Sequence, residues 1–125
     1  MLAIDTSTFV AFLEGAAGAD VDLLDRALEE KQACLPPAVL AELLSDPKLP
    51  ATVAAFLAEL PLLDVSEGYW QRIGLLRASV LKEKRKARLA DSLIAQSCLD
   101  HELALITRDR DFKNFAKAVG LRIAR

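Results

Sequence analysis

Residues 103–112 read LALITRDRDF, and this stretch decides the fold class that the sequence predicts. Its first part, residues 103–106, is a short apolar run typical of a buried strand. A polar turn follows over residues 107–111, and residues 112–119 are predicted to form a helix that Gly120 closes. The stretch therefore predicts a strand, a turn and a helix, the repeating unit of an α/β fold.

Short apolar runs and amphipathic helices alternate along the rest of the chain as well. Further strands are predicted at residues 1–4, 33–35, 62–65 and 121–124. Helices are predicted at residues 9–14, 20–32, 37–45, 50–59 and 89–99, and over a long stretch that opens at residue 66 and runs into the basic segment 82–88. This alternation indicates parallel βαβ units in one sheet. Because no low-complexity linker divides the chain, we predict one α/β domain over residues 1–125.

The composition excludes several classes of protein. The chain has 125 residues, of which 53% are hydrophobic, so a well-buried core is feasible. No apolar run approaches the roughly 20 residues of a membrane span, and residues 1–9 lack the basic start of a signal peptide. We therefore expect a cytoplasmic protein with no membrane partner. Cys34 and Cys98 have no CxxC neighbour, and we interpret both as small buried hydrophobic residues.

The charges are distributed unevenly along the chain. Residues 1–69 carry 3 basic and 12 acidic side chains, whereas residues 70–125 carry 13 basic and 6 acidic ones. The basic part could supply a local phosphate-binding face. The alternative is that these charges are solvated helix surfaces.

Four separated acidic residues are the strongest candidates for a functional site. Asp5 and Asp109 each follow a predicted strand, and open α/β sheets bind ligands beyond the carboxyl ends of their strands. Asp91 stands near the start of a predicted helix, and Glu42 lies in the apolar helix AVLAELLS. Each also has a structural interpretation. The three aspartates could be turn or helix-start residues, which the helix dipole favours, and Glu42 could lie on a solvated helix face.

The combination of these carboxylates indicates a chemistry that none indicates alone. Converging carboxylates repel one another unless a cation or protons compensate, and oxygen ligands suit Mg²⁺ or Mn²⁺. His101 is the only histidine, so a pair of catalytic histidines is excluded. The chain also has no GxSxG motif and no glycine-rich phosphate-binding loop. Metal-bound carboxylates are therefore the most available catalytic groups.

Four sequence motifs follow one another along the chain. They are the apolar strand that runs into DTS at residues 5–7, the glutamate of the apolar helix at residue 42, DSLIA at residues 91–95 and ALITRDRDF at residues 104–112. In this order they resemble the PIN domain, and more narrowly the VapC-like toxin ribonucleases of type II toxin–antitoxin pairs. The resemblance covers essentially the whole chain. It implies a three-layer α/β/α domain around a mainly parallel sheet of about four to five short strands.

The resemblance also implies roles for the site residues. The catalytic set that it implies comprises Asp5, Glu42, Asp91, Thr107 and Asp109. The three aspartates of this set would ligate one or two Mg²⁺ or Mn²⁺ ions, and Asp111 is a further candidate ligand. Glu42 would position the metal ion or the attacking water, and the Thr107 hydroxyl would orient the site. The implied activity is hydrolysis of RNA phosphodiester bonds by activated water. The implied partners are a second copy in a homodimer and a small inhibitory antitoxin that occupies the groove.

The segment before Asp91 departs from this family. It reads KEKRKARLA at residues 82–90, where many relatives have a glycine-containing loop. We assign Tyr69 and Trp70, the aromatic residues early in the long helix, to core packing rather than to base stacking. The candidate RNA phosphate contacts are Arg85, Lys86, Arg88, Arg108 and Arg110.

Two alternative functions fit the same sequence. The first is a non-catalytic RNA- or protein-binding domain of the same fold. The second is another Mg²⁺-dependent phosphohydrolase with Asp5 as its nucleophile. That chemistry usually needs a second aspartate two residues further on, where this chain has Ser7.

Overall fold

The computed structural model describes residues 1–125 and contains three short strands and seven helices. The strands are β1 (Leu2–Ile4), β2 (Ala33–Cys34) and β3 (Leu105–Ile106). The helices are α1 (Thr6–Leu13), α2 (Ala19–Glu29), α3 (Pro37–Leu44), α4 (Ala51–Glu59), α5 (Tyr69–Lys82), α6 (Leu89–Asp100) and α7 (Phe112–Val119). Helix α7 has the predicted bounds, and Gly120 after it adopts the left-handed conformation that favours glycine at a helix end. None of the helices combines the length and the apolar character that a membrane crossing requires.

The three strands form one parallel sheet in the order β2-β1-β3. The sheet is smaller than the predicted four to five strands, because residues 62–65 and 121–124 each contribute only one parallel bridge. These bridges join Leu35 to Leu62 and Leu105 to Ile123. Strand β3 is only two residues long, and Leu62 is half exposed, so little buried apolar surface is available to extend either pairing.

The order of the strands determines where the helices pack. The chain moves from β1 to β2 in one direction, and from β2 past β1 to β3 in the other. Because such crossovers are right-handed, the two sets of connecting helices lie on opposite faces of the sheet. Helix α1 accordingly packs against α2, and α5 packs against α6 and α7. The predicted three-layer α/β/α architecture is therefore confirmed. It creates a topological switch point between the carboxyl ends of β1 and β3.

The hydrophobic core surrounds the sheet and includes both cysteines. Twenty-two buried residues form one cluster, which contains the inner side chains of all three strands. Cys34 and Cys98 are fully buried and unpaired, as predicted. Burial raises the pKa of the Cys34 thiol to about 11 and also raises the pKa of Cys98. Both residues are therefore protonated packing residues at neutral pH.

The basic segment 82–88 does not extend α5 beyond Lys82, and its residues 83–88 form a loop. The helix ends at Lys82, and Lys84 has a φ of 60°, in the left-handed region that breaks a helix. The Arg77 guanidinium donates a hydrogen bond of 2.7 Å to the carbonyl of Ala87. This contact ties the end of the loop to α5 and directs the chain into α6.

The two aromatic residues at the start of α5 have different surroundings. Tyr69 is buried, and its hydroxyl donates a hydrogen bond of 2.7 Å to the carbonyl of Leu93. Trp70 is 67% exposed, so its assignment to the core is wrong. Consecutive helical residues point about 100° apart, so the buried position of Tyr69 turns Trp70 towards solvent.

Removing buried side chains of the core should destabilise the fold strongly. Ile94 is 1% exposed and Leu105 is fully buried. Ile94→Ala and Leu105→Ala should each lower the free energy of unfolding by about 2–5 kcal/mol, because each leaves a cavity in the core. Urea unfolding followed by circular dichroism measures the change. Leu75, which is 71% exposed, provides the matched control, and Leu75→Ala should cost less than about 0.5 kcal/mol. Equal losses in all three variants would contradict the burial of Ile94 and Leu105 in the core.

Candidate metal centre

Asp5 lies at the switch point, directly after β1. It occupies the N-cap position of α1 and is 4% exposed. Its Oδ2 accepts hydrogen bonds from the hydroxyls of Ser7 (2.6 Å) and Thr107 (2.7 Å). Burial raises the pKa of the Asp5 carboxyl above its ordinary value, and these two hydrogen bonds only partly offset that increase.

Thr107 connects the ends of the two central strands. Its hydroxyl donates to Asp5 and accepts a hydrogen bond of 3.0 Å from the backbone N–H of Asp109. The Asp109 Oδ1 in turn accepts a hydrogen bond of 2.9 Å from the N–H of Asp111. This chain of contacts fixes the turn after β3 against the end of β1.

Asp91 enters the same region from α6. It lies in the first turn of that helix and is 8% exposed. Burial raises the pKa of its carboxyl, and the Arg88 guanidinium counteracts this. The charges of Asp109 and Asp5 raise the pKa further, which indicates that the three carboxylates are close enough to interact. Carboxylate oxygens of Asp91, Asp109 and Asp111 lie within 4.8 Å of one another.

Glu42 reaches the cavity from α3. The residue is exposed, and its Oε1 accepts a hydrogen bond of 2.8 Å from the Thr6 hydroxyl at the start of α1. A cavity of about 170 Å³ joins it to the aspartates. The cavity is lined by Asp5, Thr6, Ser7, Glu42, Arg88, Ala90, Asp91 and Asp109. The structure thus brings together the four acids on which the sequence prediction rests.

Two cations of the loop 83–88 bind the acidic side chains directly. Arg88 places Nε 3.1 Å from Oδ2 of Asp91 and Nη2 3.0 Å from Oδ2 of Asp109. Its Nη2 is also 3.4 Å from Oδ2 of Asp111. The same Asp111 oxygen lies 3.1 Å from the Nζ of Lys86. The last residues of the basic run therefore contact the acidic cluster. The sequence alone does not predict this contact.

Of the other candidate RNA contacts, only Arg110 forms no ion pair. Arg85 lies 3.5 Å from Glu83. Arg108 donates from Nε and Nη2 to the two oxygens of Asp20, at 2.8 and 3.0 Å. Arg110 is exposed in the turn after β3.

Asp20 is a residue of the site region that sequence reasoning missed. It receives the Arg108 guanidinium and also a hydrogen bond of 2.9 Å from the Thr8 hydroxyl. The hydrogen bond from Arg108 is the main reason that the pKa of Asp20 is lowered. Asp20 thereby fastens the turn after β3 to α1 and α2. A separation of 88 residues along the chain gives no local sequence signal for this contact.

The residues present fit a divalent metal ion. The carboxylates and hydroxyls that converge here are the hard oxygen ligands that Mg²⁺ and Mn²⁺ prefer. Asp91, Asp109 and Asp111 already surround a positive group, since the Arg88 guanidinium contacts all three. The buried Asp5 has no ion pair within the chain, so negative charge remains in excess.

Comparison with known proteins assigns the chain to a family. The family model described as the PIN domain matches residues 2–118. The chain is a member of the PIN domain family. A comparison with curated proteins finds no significant match.

This PIN domain resembles several solved structures in fold. One is VapBC2 from Rickettsia felis bound to a DNA fragment from their promoter, at 21% identity over 98% of this chain and 96% of that chain, with a TM-score of 0.76. A second is VapBC-5 from Mycobacterium tuberculosis, of the VapBC family of toxin–antitoxin systems, at 24% identity over 99% and 97%, with a TM-score of 0.69. A third is FitAcB from Neisseria gonorrhoeae, at 21% identity over 99% and 97%, with a TM-score of 0.70. At these identities the likeness establishes the fold.

The raised pKa of Asp5 predicts how the stability of the metal-free PIN domain depends on pH. The folded state holds the Asp5 proton more tightly than the unfolded chain, whose carboxyl has its ordinary pKa of 3.8. The contribution of Asp5 to the free energy of unfolding should therefore fall as the pH rises from that value through its folded-state pKa. Asp5→Asn should raise the free energy of unfolding at neutral pH and flatten this dependence.

Urea unfolding in the presence of a chelator, between about pH 4 and about pH 7, measures this effect. Asp25→Asn, at an exposed position of α2, is the control and should leave the pH dependence unchanged. A lower stability of Asp5→Asn at neutral pH would show that the Asp5 carboxylate is a structural turn or capping group.

Proposed function

We propose that this PIN domain is a metal-dependent endoribonuclease and the toxin of a toxin–antitoxin pair. The observation that carries the proposal is the convergence of Asp5, Glu42, Asp91 and Asp109 on one cavity at the topological switch point. Clustered carboxylates in this position are suited to hold Mg²⁺ or Mn²⁺. When bound, such an ion supplies Lewis acidity to a phosphodiester oxygen and to the attacking water.

The side chains at the end of β1, in α6 and in the turn after β3 have different proposed roles. Asp91 and Asp109 are the proposed ligands together with Asp5, and Asp111 is a further ligand from the turn after β3. The Thr107 hydroxyl donates to Asp5 and accepts from the backbone N–H of Asp109, so we assign it the role of orienting both residues.

Glu42 has a different proposed role, because it reaches the cavity from α3 and forms no ion pair with the cations of the acidic cluster. Its exposed carboxylate is oriented by the Thr6 hydroxyl. In this position it can orient a water molecule and accept its proton.

RNA would approach the cavity along the basic part of the chain. Neutralising phosphates requires cations close to the reacting bond. Arg110 is free for this role, and Lys86 and Arg88 lie beside the cavity. Arg85 is a further candidate on the same loop, whereas we assign Arg108 a positioning role because Asp20 holds its guanidinium.

A small antitoxin protein and a second copy of the chain are the proposed protein partners, in the cytoplasm. The resemblance in fold to toxin–antitoxin structures supports the first. So does a groove of about 240 Å³ beside the cavity, which shares Thr6 and Glu42 with it. Its apolar wall includes Val10 and Val53, and Glu14 and Asp46 add negative charge. A partner segment with apolar and basic side chains would therefore fit and would cover the cavity.

A cleavage assay on mixed structured RNAs tests the proposed activity. Cleavage should require Mg²⁺ or Mn²⁺, stop on chelation, and fall by about 100-fold or more in Asp91→Asn, since this substitution removes a ligand charge. Asp25→Asn again serves as the control, because it removes the same charge from an exposed position of α2 and should leave the rate unchanged.

The outcomes separate the alternatives. Cleavage that survives both chelation and Asp91→Asn would overturn the proposal. Intact RNA binding without cleavage, unaffected by Asp5→Ala and Asp91→Ala, would identify a non-catalytic binding domain instead. Hydrolysis of small phosphate esters alone would identify another phosphohydrolase.

A further inference from the structure

We propose that Arg88 is a built-in cation of the metal centre, whose guanidinium competes with the divalent ion for the carboxylates of Asp91 and Asp109. In the metal-free protein Arg88 closes the centre, and the bound ion displaces it. The proposal rests on the metal centre proposed above but not on RNA cleavage.

The geometry places the Arg88 guanidinium on carboxylate oxygens that a divalent ion would also use. Arg88 donates to Oδ2 of Asp91 and to Oδ2 of Asp109 at 3.1 and 3.0 Å. Mg²⁺ and Mn²⁺ need carboxylate oxygens at about 2.1 Å in a nearly octahedral shell. A guanidinium and a divalent ion on the same oxygens would therefore lie within a few ångströms of each other, where two positive charges repel strongly.

The side chain of Arg88 can leave while its backbone stays fixed. The residue is the N-cap of α6, and its carbonyl accepts hydrogen bonds from the backbone N–H and the hydroxyl of Ser92. The carbonyl of Ala87 is held by Arg77 at 2.7 Å. In contrast, the Arg88 side chain is 53% exposed and bounds an open cavity. Displacement therefore needs only a change of side-chain rotamer.

The negative charges of the acidic cluster explain why a cation at position 88 stabilises the metal-free chain. Asp91, Asp109 and Asp111 would repel one another without a positive group between them. Lys86 pairs with only one member of this cluster, Asp111, at 3.1 Å. Exposed ion pairs of this kind are individually weak, so a divalent ion can replace them, but its apparent affinity is lowered by the competition.

Isothermal titration of the chelator-stripped full chain with Mn²⁺ tests this competition. Arg88→Gln should bind Mn²⁺ roughly 5- to 150-fold more tightly than the unaltered chain, the range of ordinary coupling between two binding events. Arg88→Lys keeps a cation at the site, so its affinity for Mn²⁺ should lie between those of Arg88→Gln and the unaltered chain. Arg110→Gln is the matched control, because it removes a cation that forms no ion pair, from the turn after β3 that carries Asp109 and Asp111. It should change the affinity much less.

A second measurement uses the unaltered protein, in case Arg88→Gln does not fold. The Arg88 Nε–H donates to Asp91, so its ¹H–¹⁵N signal should shift on addition of diamagnetic Mg²⁺ and saturate with the binding isotherm. Either an affinity of Arg88→Gln no higher than that of Arg110→Gln, or an Arg88 signal unchanged at saturating Mg²⁺, would overturn the proposal. If no form of the chain binds Mn²⁺, the metal dependence of the proposed nuclease fails as well.

Discussion

The pairing of β1 with β3 is the constraint on which the rest of the site depends. The N–H of Asp5 donates to the carbonyl of Ile106, and the Asp5 carboxylate meets the Thr107 hydroxyl 102 residues away along the chain. This pairing places the ends of the two strands side by side, and the helices that follow them leave in opposite directions. Asp91 and Glu42 then reach the resulting crevice from α6 and α3, which pack against each other.

Bringing several carboxyl groups together in this crevice lowers the stability of the fold, and neighbouring side chains partly offset this loss. Burial disfavours the charged forms of Asp5 and Asp91 and raises both pKa values. Hydroxyl groups stabilise the first carboxylate and a guanidinium stabilises the second. These contacts only partly offset the effect of burial, so the pKa values of both carboxyl groups stay raised. Such residual strain is typical of functional sites, where the arrangement serves a ligand rather than stability.

The sequence predicted the parts of this site that depend on local pattern. Asp5 and Asp109 follow from the rule that ligands bind beyond strand ends, and the bounds of α7 follow from Gly120. Glu42 could not be derived from its own helix, because it is exposed and joins the site only where α3 meets the start of α1 through Thr6. The path of the basic run depends on the left-handed conformation of Lys84, which residues other than glycine rarely adopt and which the local sequence therefore does not indicate. The predicted number of strands is too high, because an apolar run does not show how many bridges it forms with a neighbouring strand.

The two protonated, fully buried cysteines make the protein convenient for site-directed labelling. Thiol reagents react with accessible thiolates, which neither Cys34 nor Cys98 provides at neutral pH. A single cysteine introduced on the exposed surface would therefore be the sole reactive thiol without removal of the native ones. A fluorophore or spin label placed at exposed Trp70 could then report on the folded chain without a background signal from its core.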